Sequence, residues 1–265
     1  MTSIMGRNKA KETLAFCLGV ILVGCLIQAA GWLKNDRLVF PDVPEILRAF
    51  FRLAAAPRTY LLIWTTLCHL LEALAVSTVI GLTLGLAEGF SDFIRTMLRP
   101  LMILLRSIPV IVMVVIVMVL LQYRYVPLAA TSLFLIPLIS EAACEGCRRI
   151  DQDLIDVYRL NSAFNMTVLF RVYLPIMAGY LKQAYISAVG MGLKLIVTAE
   201  YLVQTRSSLG KAIYSSSYFN EYEDIYAYAL IMILLVLLVS ELPVIIGRMF
   251  RRITDAEGNL PEPTK

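Results

Sequence analysis

The sequence predicts an all-α membrane protein of about six transmembrane helices. Three observations carry that prediction. Hydrophobic residues fill 59% of the 265 positions and charged residues only 17%, where a soluble chain of this size holds about a quarter charged. Mean hydropathy is +0.74, and several apolar runs reach the roughly 20 residues that a bilayer core demands. Those runs are continuous rather than alternating, which suits helices and disfavours a β-barrel.

The elements follow in chain order. A basic head, 1–13, carries Arg7, Lys9 and Lys11. The first span runs from about Leu14 to Leu33. It is long and lacks a small-residue cleavage site, so it is expected to be retained rather than removed as a signal peptide. Between Lys34 and Tyr60 the stretch PEILRAFFRLAAAP aligns Ile46, Leu47, Phe50, Phe51 and Leu53 on one helical face. That pattern fits a helix at the outer interface or one packed on the bundle. Further spans are expected from about Leu67 to Gly89, Leu101 to Leu121 (with Pro109), Val126 to Ala143 (with Pro127 and Pro137), Ile176 to Val203, and Ile225 to Ile246. Residues 14–253 thus form one transmembrane domain, and the polar tail 254–265 is expected to be disordered. Lys and Arg are more numerous on the side of the N-terminus, which predicts both termini in the cytoplasm. The net charge of +4 reads as this topology charge and not as a nucleic-acid surface.

Chemistry of its own is not indicated. His69 is the single histidine, and Cys144 and Cys147 form a lone CxxC without a second ligand pair. No HExxH, GxSxG or Gly-rich phosphate loop occurs. The expectation is therefore no enzyme, no metal and no cofactor bound by this chain. Charges inside spans point instead to transport or to internal pairing, because a charge at membrane depth is costly without a cavity or partner. Arg106 precedes Pro109; Lys194 and Glu200 share the fifth span, about 120° apart on a helix. Glu141 and Glu145 lie at the inner end of the fourth span, and His69 and Glu72 near the outer start of the second. Without a nucleotide site, any uphill transport must draw on an ion gradient or a separate ATPase.

The segment DVYRLNSAFNMTVLFRVYLP, Asp156 to Pro175, favours the ATPase. It is a polar, Arg-bearing island between apolar runs, with an amphipathic stretch suited to a groove on a soluble partner. It resembles the cytoplasmic signature of the permease subunits of binding-protein-dependent ABC importers, which reads Glu-Ala-Ala, then Gly, then Leu-Pro. With Leu174-Pro175 on the terminal Leu-Pro, Asp156-Val157-Tyr158 fall on Glu-Ala-Ala and Ser162 on the Gly, without a gap. Arg106-Ser107-Ile108-Pro109, Ile150-Asp151, Thr198-Ala199-Glu200-Tyr201-Leu202 and Ser208-Leu209-Gly210 are similar to motifs of the nitrate/sulfonate/taurine-type branch. The resemblance implies a type I ABC importer permease fold with a coupling loop at about 148–175. It implies that Asp151, Asp156, Tyr158, Arg159, Ser162, Phe164, Leu174 and Pro175 couple the chain to its motor. Two ATPase subunits holding ATP and magnesium, a second permease subunit (a homodimer), and an extracytoplasmic substrate-binding protein are the implied partners, in a bacterial inner membrane. Arg106, Pro109, Lys194 and Glu200 are then candidate pathway or gate residues for a small solute such as a sulfonate, nitrate or a vitamin precursor. The alternatives are an ion-coupled secondary transporter or channel without an ATPase, and a membrane scaffold.

Overall fold

The computed structural model of the chain describes residues 41–149 and 174–257, together with Gly19. The regular structure among them is helical throughout: α1 (Val43–Ala55), α2 (Pro57–Phe90), α3 (Asp92–Ser107), α4 (Val110–Leu120), a 3-10 turn at Tyr123–Tyr125, α5 (Val126–Arg148), α6 (Leu174–Val203), α7 (Leu209–Tyr218) and α8 (Tyr222–Glu257). Helices α2, α5, α6 and α8 each contain a stretch long and apolar enough to cross a membrane. They correspond to the expected second, fourth, fifth and sixth spans. The expected first span lies outside the described residues. Helix α8 continues to Glu257, so the tail expected from Thr254 starts out helical.

The expected third span, Leu101 to Leu121, is not a single helix. Helices α3 and α4 meet at 105°. Pro109 holds the residue before it away from the helical region, and Ile108 is extended at φ −69°, ψ 127°. Hydropathy reports composition and not direction, so a break between two apolar helices is invisible to it. The 11 residues of α4 reach about 16 Å, roughly half of a bilayer core.

The described residues group into two compact units. The larger comprises Leu61–Ala212 and the chain from Ile233, and its centre is α2, α5 and α6. Helices α2 and α5 run parallel, because successive turns of α2 meet successive turns of α5. A Cβ on Gly81 would sit 2.9 Å from Cβ of Ile139, one on Gly85 2.6 Å from Cβ of Ala143, and one on Gly89 2.7 Å from Cβ of Cys147. Real side chains do not approach so closely, so this stripe of three glycines, four residues apart, is what lets the backbones touch, as in small-residue contacts between membrane helices. Helix α6 packs antiparallel to α5: Met177 and Leu181 cluster with Cys147 and Ala143, and Leu195 and Ala188 with Leu135. Some hydroxyls within this apolar core bond to groups of nearby helix turns. Ser77 donates to Ala73 O at 2.6 Å, and Tyr185 of α6 donates to Thr78 Oγ1 of α2 at 2.8 Å.

The smaller unit comprises the chain to Tyr60 and Ile213–Met232. In α1 the Asp42 N–H donates to Glu45 Oε2 at 2.9 Å, closing the first turn. Ile46 and Ala49 are buried, while Leu47 and Phe51 are exposed, so the inward face is narrower than the five-residue face expected. Arg52 pairs with Asp224 and, at 3.5 Å, with Glu223. Burial pulls the Arg52 pKa down, but the Asp224 carboxylate more than offsets it and the net direction is up.

Candidate functional site

The residues singled out in the sequence separate in the structure. Beyond its first turns, the exposed residues of helix α6 are Lys182, Gln183, Ser187, Met191 and Lys194; the last four, continued by half-buried Thr198, form a stripe. The spacing of four, four, three and four keeps them on one face. The lower part of the stripe opens into a groove of about 560 Å³. There Leu138, Glu141 and Glu145 of α5 oppose Tyr180, Gln183 and Ser187 of α6. Lys194 is exposed, and no carboxylate among the described residues pairs with it in the ion pairs present.

Arg106 stands at the last turn of α3. It donates to the carbonyl of Pro137 at 2.8 Å and pairs with Glu141 Oε2 at 2.5 Å. A second cavity, about 510 Å³, opens beside it between the charged face of α3 and helices α2 and α5, with Glu88, Arg95, Arg99 and Glu145 in its wall. Pro109 caps α4 just after the bend and is exposed.

Glu200 is elsewhere. Named with Lys194 as a candidate pathway residue but expected on a different face, it is 0% exposed and engaged within the unit. Thr66 donates to its Oε2 at 2.9 Å, His69 Nδ1 lies 2.8 Å from its Oε1, and the Gly210 N–H donates to Oε2 at 3.3 Å. Thr66 Oγ1 in turn accepts from Leu209 N–H at 3.1 Å. Four backbone donors at a helix start lack internal partners, and here a carboxylate and a hydroxyl from two other helices supply two. The first turn of α7 is thereby tied to α2 and α6. Gly210 permits the approach, since a Cβ there would lie 2.5 Å from Cβ of Glu200.

Of the expected coupling residues, Asp151, Asp156, Tyr158, Arg159, Ser162 and Phe164 lie outside the described residues. Leu174 and Pro175 open α6, where a proline costs no internal hydrogen bond. Two features escaped the sequence reading. The glycine stripe was legible as Gly81, Gly85 and Gly89, four apart. The pair of Arg148 with Asp92 Oδ1, at 2.6 Å, joins residues too distant in sequence for any local pattern to link.

A family model described as "Binding-protein-dependent transport system inner membrane component" matches residues 77–254. Two curated relatives, both bicarbonate transport system permease proteins CmpB, come from Synechococcus elongatus and a Synechococcus species. Each is 28% identical over 170 residues, 62% of this chain and 60% of the relative. The chain thus spans about 60% of the length of the curated relatives it matches. Among solved structures, a chain of the inward-facing MetNI methionine ABC transporter superposes with a TM-score of 0.64 at 19% identity. The match covers 74% of this chain and 98% of that one.

Proposed function

Because the chain belongs to the family of binding-protein-dependent transport system inner membrane components and has the type I ABC importer permease fold, we propose that it is the membrane permease subunit of an ATP-driven importer. The match over 77–254, which runs from α2 into α8, is the observation that carries this reading. Two copies of the chain line the pathway, and the exposed stripe of α6 with the Glu141 and Glu145 edge of α5 is the wall that each contributes. Two ATPase subunits, which hold ATP and magnesium, dock on the loop that contains Asp156, Ser162 and Leu174-Pro175. An extracytoplasmic binding protein delivers the solute at the other end. Both chain termini lie in the cytoplasm, and the chain carries out no covalent chemistry itself.

The solute proposed is a small oxyanion. The bicarbonate permease relatives support that class, and so does a cation, Lys194, which no carboxylate among the described residues pairs with on the polar stripe. Sulfonates and nitrate fall in the same chemical class. The test is a mild-detergent pull-down of the tagged chain from its host, with mass spectrometry of its companions. A stoichiometric ATPase is the expected result. A chain that purifies alone and still catalyses uptake in vesicles without ATP overturns the reading in favour of a secondary transporter.

A further inference from the structure

We propose that the cavity beside α3 is a binding site for a small zwitterion, a molecule that joins an oxyanion to an ammonium. The inference goes beyond the importer reading and does not depend on it. The cavity, of about 510 Å³, falls in the size range of small-molecule sites. It lies within the larger unit, between α3 and helices α2 and α5. Lys194, the cation of the α6 stripe, is not in its wall.

That wall sorts charge by helix. Helix α3 supplies the cations Arg95, Arg99 and Arg106, with Asp92 in its first turn. The charged groups from α2 and α5 are all carboxylates: Glu88, Glu141 and Glu145. Some of these groups are already paired, Arg106 with Glu141 and Asp92 with Arg148 from outside the wall. Arg95 and Arg99 on one side, and Glu88 and Glu145 on the other, form no ion pair among the described residues. What is left is two cations and two anions, with no net charge.

Glu88 is the group that calls for a ligand. It is only 8% exposed, and a buried carboxylate needs partners. Its Oε1 accepts from the Ser140 hydroxyl at a long 3.5 Å, and its other oxygen has no hydrogen-bond donor among the described residues. An ammonium in the cavity brings three donors and supplies what this carboxylate lacks. Arg95 and Arg99 are one turn apart on the same face of α3. Their guanidinium forks match the oxygens of a carboxylate, sulfonate or phosphate. A plain anion would gain the arginines but meet Glu88 and Glu145, and a plain cation would meet the converse. A molecule with both charges satisfies both rows at once. Two sources offer that chemistry: a free amino acid or aminosulfonate, and the phosphoethanolamine headgroup of a lipid.

The test uses the purified full chain in detergent, with β-alanine, propionate and propylamine as probes at equal ionic strength. β-Alanine should raise the melting temperature saturably. Propionate and propylamine, which each carry one of its two charged ends, should not. Native mass spectrometry of the same protein tests the lipid source, where phosphatidylethanolamine should be retained in preference to phosphatidylglycerol. Arg95→Ala combined with Arg99→Ala should weaken whichever ligand binds about tenfold or more, and so should Glu88→Gln. The arginines are exposed, so their double variant decides the matter should Glu88→Gln fail to fold. A response to β-alanine alone assigns the site to a free solute and a selective lipid adduct alone to the headgroup; either supports the zwitterion site. No response in either arm, equal binding of the singly charged probes or of phosphatidylglycerol, or binding that survives loss of both arginines overturns it. None of these outcomes requires a companion ATPase, so the importer reading stands or falls separately.

Discussion

Removing the Glu200 side chain strands three groups at once: the Thr66 hydroxyl, the His69 ring and the Gly210 N–H. A donor or acceptor left unpaired in a buried site costs on the order of 1–3 kcal/mol, more where a charge was involved. Glu200→Ala should therefore destabilise the detergent-solubilised protein by about 3 kcal/mol, measured as a fall in melting temperature. Glu200→Gln, which keeps the shape and an acceptor oxygen, should lose clearly less. Equal losses in the two variants would mean that volume and not hydrogen bonding holds the turn. Lys194 should behave oppositely. It is exposed, so Lys194→Ala should leave stability within about 0.5 kcal/mol. If the stripe carries an anion, ATP-driven uptake of radiolabelled bicarbonate should fall at least tenfold, and Lys194→Arg should recover part of it. The sequence had marked both residues and their 120° separation. It had no means of telling the buried one from the exposed one, because that depends on α2 and α7, which reach Glu200 from 134 and 10 residues away.

At the scale of the helix, the contact between α2 and α5 makes the firmest prediction. Gly85→Ala adds a Cβ 2.6 Å from Cβ of Ala143 and closer still to the Ser140 carbonyl, which is backbone and cannot rotate away. Overpacking of this kind costs about 1–3 kcal/mol, so the variant should melt lower and express less well. Gly179→Ala is the matched control: nothing lies within 4 Å of its added Cβ, and replacing a helical glycine there should be neutral or stabilise by up to about 1 kcal/mol. Most helices were legible because a run of some twenty apolar residues leaves few alternatives. The break at Ile108 and Pro109 was not. Two adjacent apolar helices have the hydropathy of one, and Arg95 and Arg99, in the first half of α3, fall between the expected second and third spans, where hydropathy drops. Read by face, they fall in register with Arg106, which is the periodic signal that marked them as helical.

For the whole molecule, the family lay in the order of several weak motifs, each of them insufficient alone. Tertiary pairings such as Arg148 with Asp92 left no trace in the sequence, since either residue is ordinary for its position. In the proposed importer, Asp156→Lys or Ser162→Trp should leave the chain in the membrane while uncoupling ATP hydrolysis from uptake. Transport by both variants at the wild-type rate per ATP would argue against a docking role for that loop. The parallel seam between α2 and α5 also bears on how the protein can diverge. Two backbones that touch share one allowance of volume at each level, so positions 85 and 143 are not free to change separately. Homologues that acquire a side chain at 85 should be those that have shrunk the residue at 143, and positions 81 with 139 and 89 with 147 should trade in the same way. The seam would then appear, in a deep enough set of related sequences, as three covarying pairs advancing together by four residues.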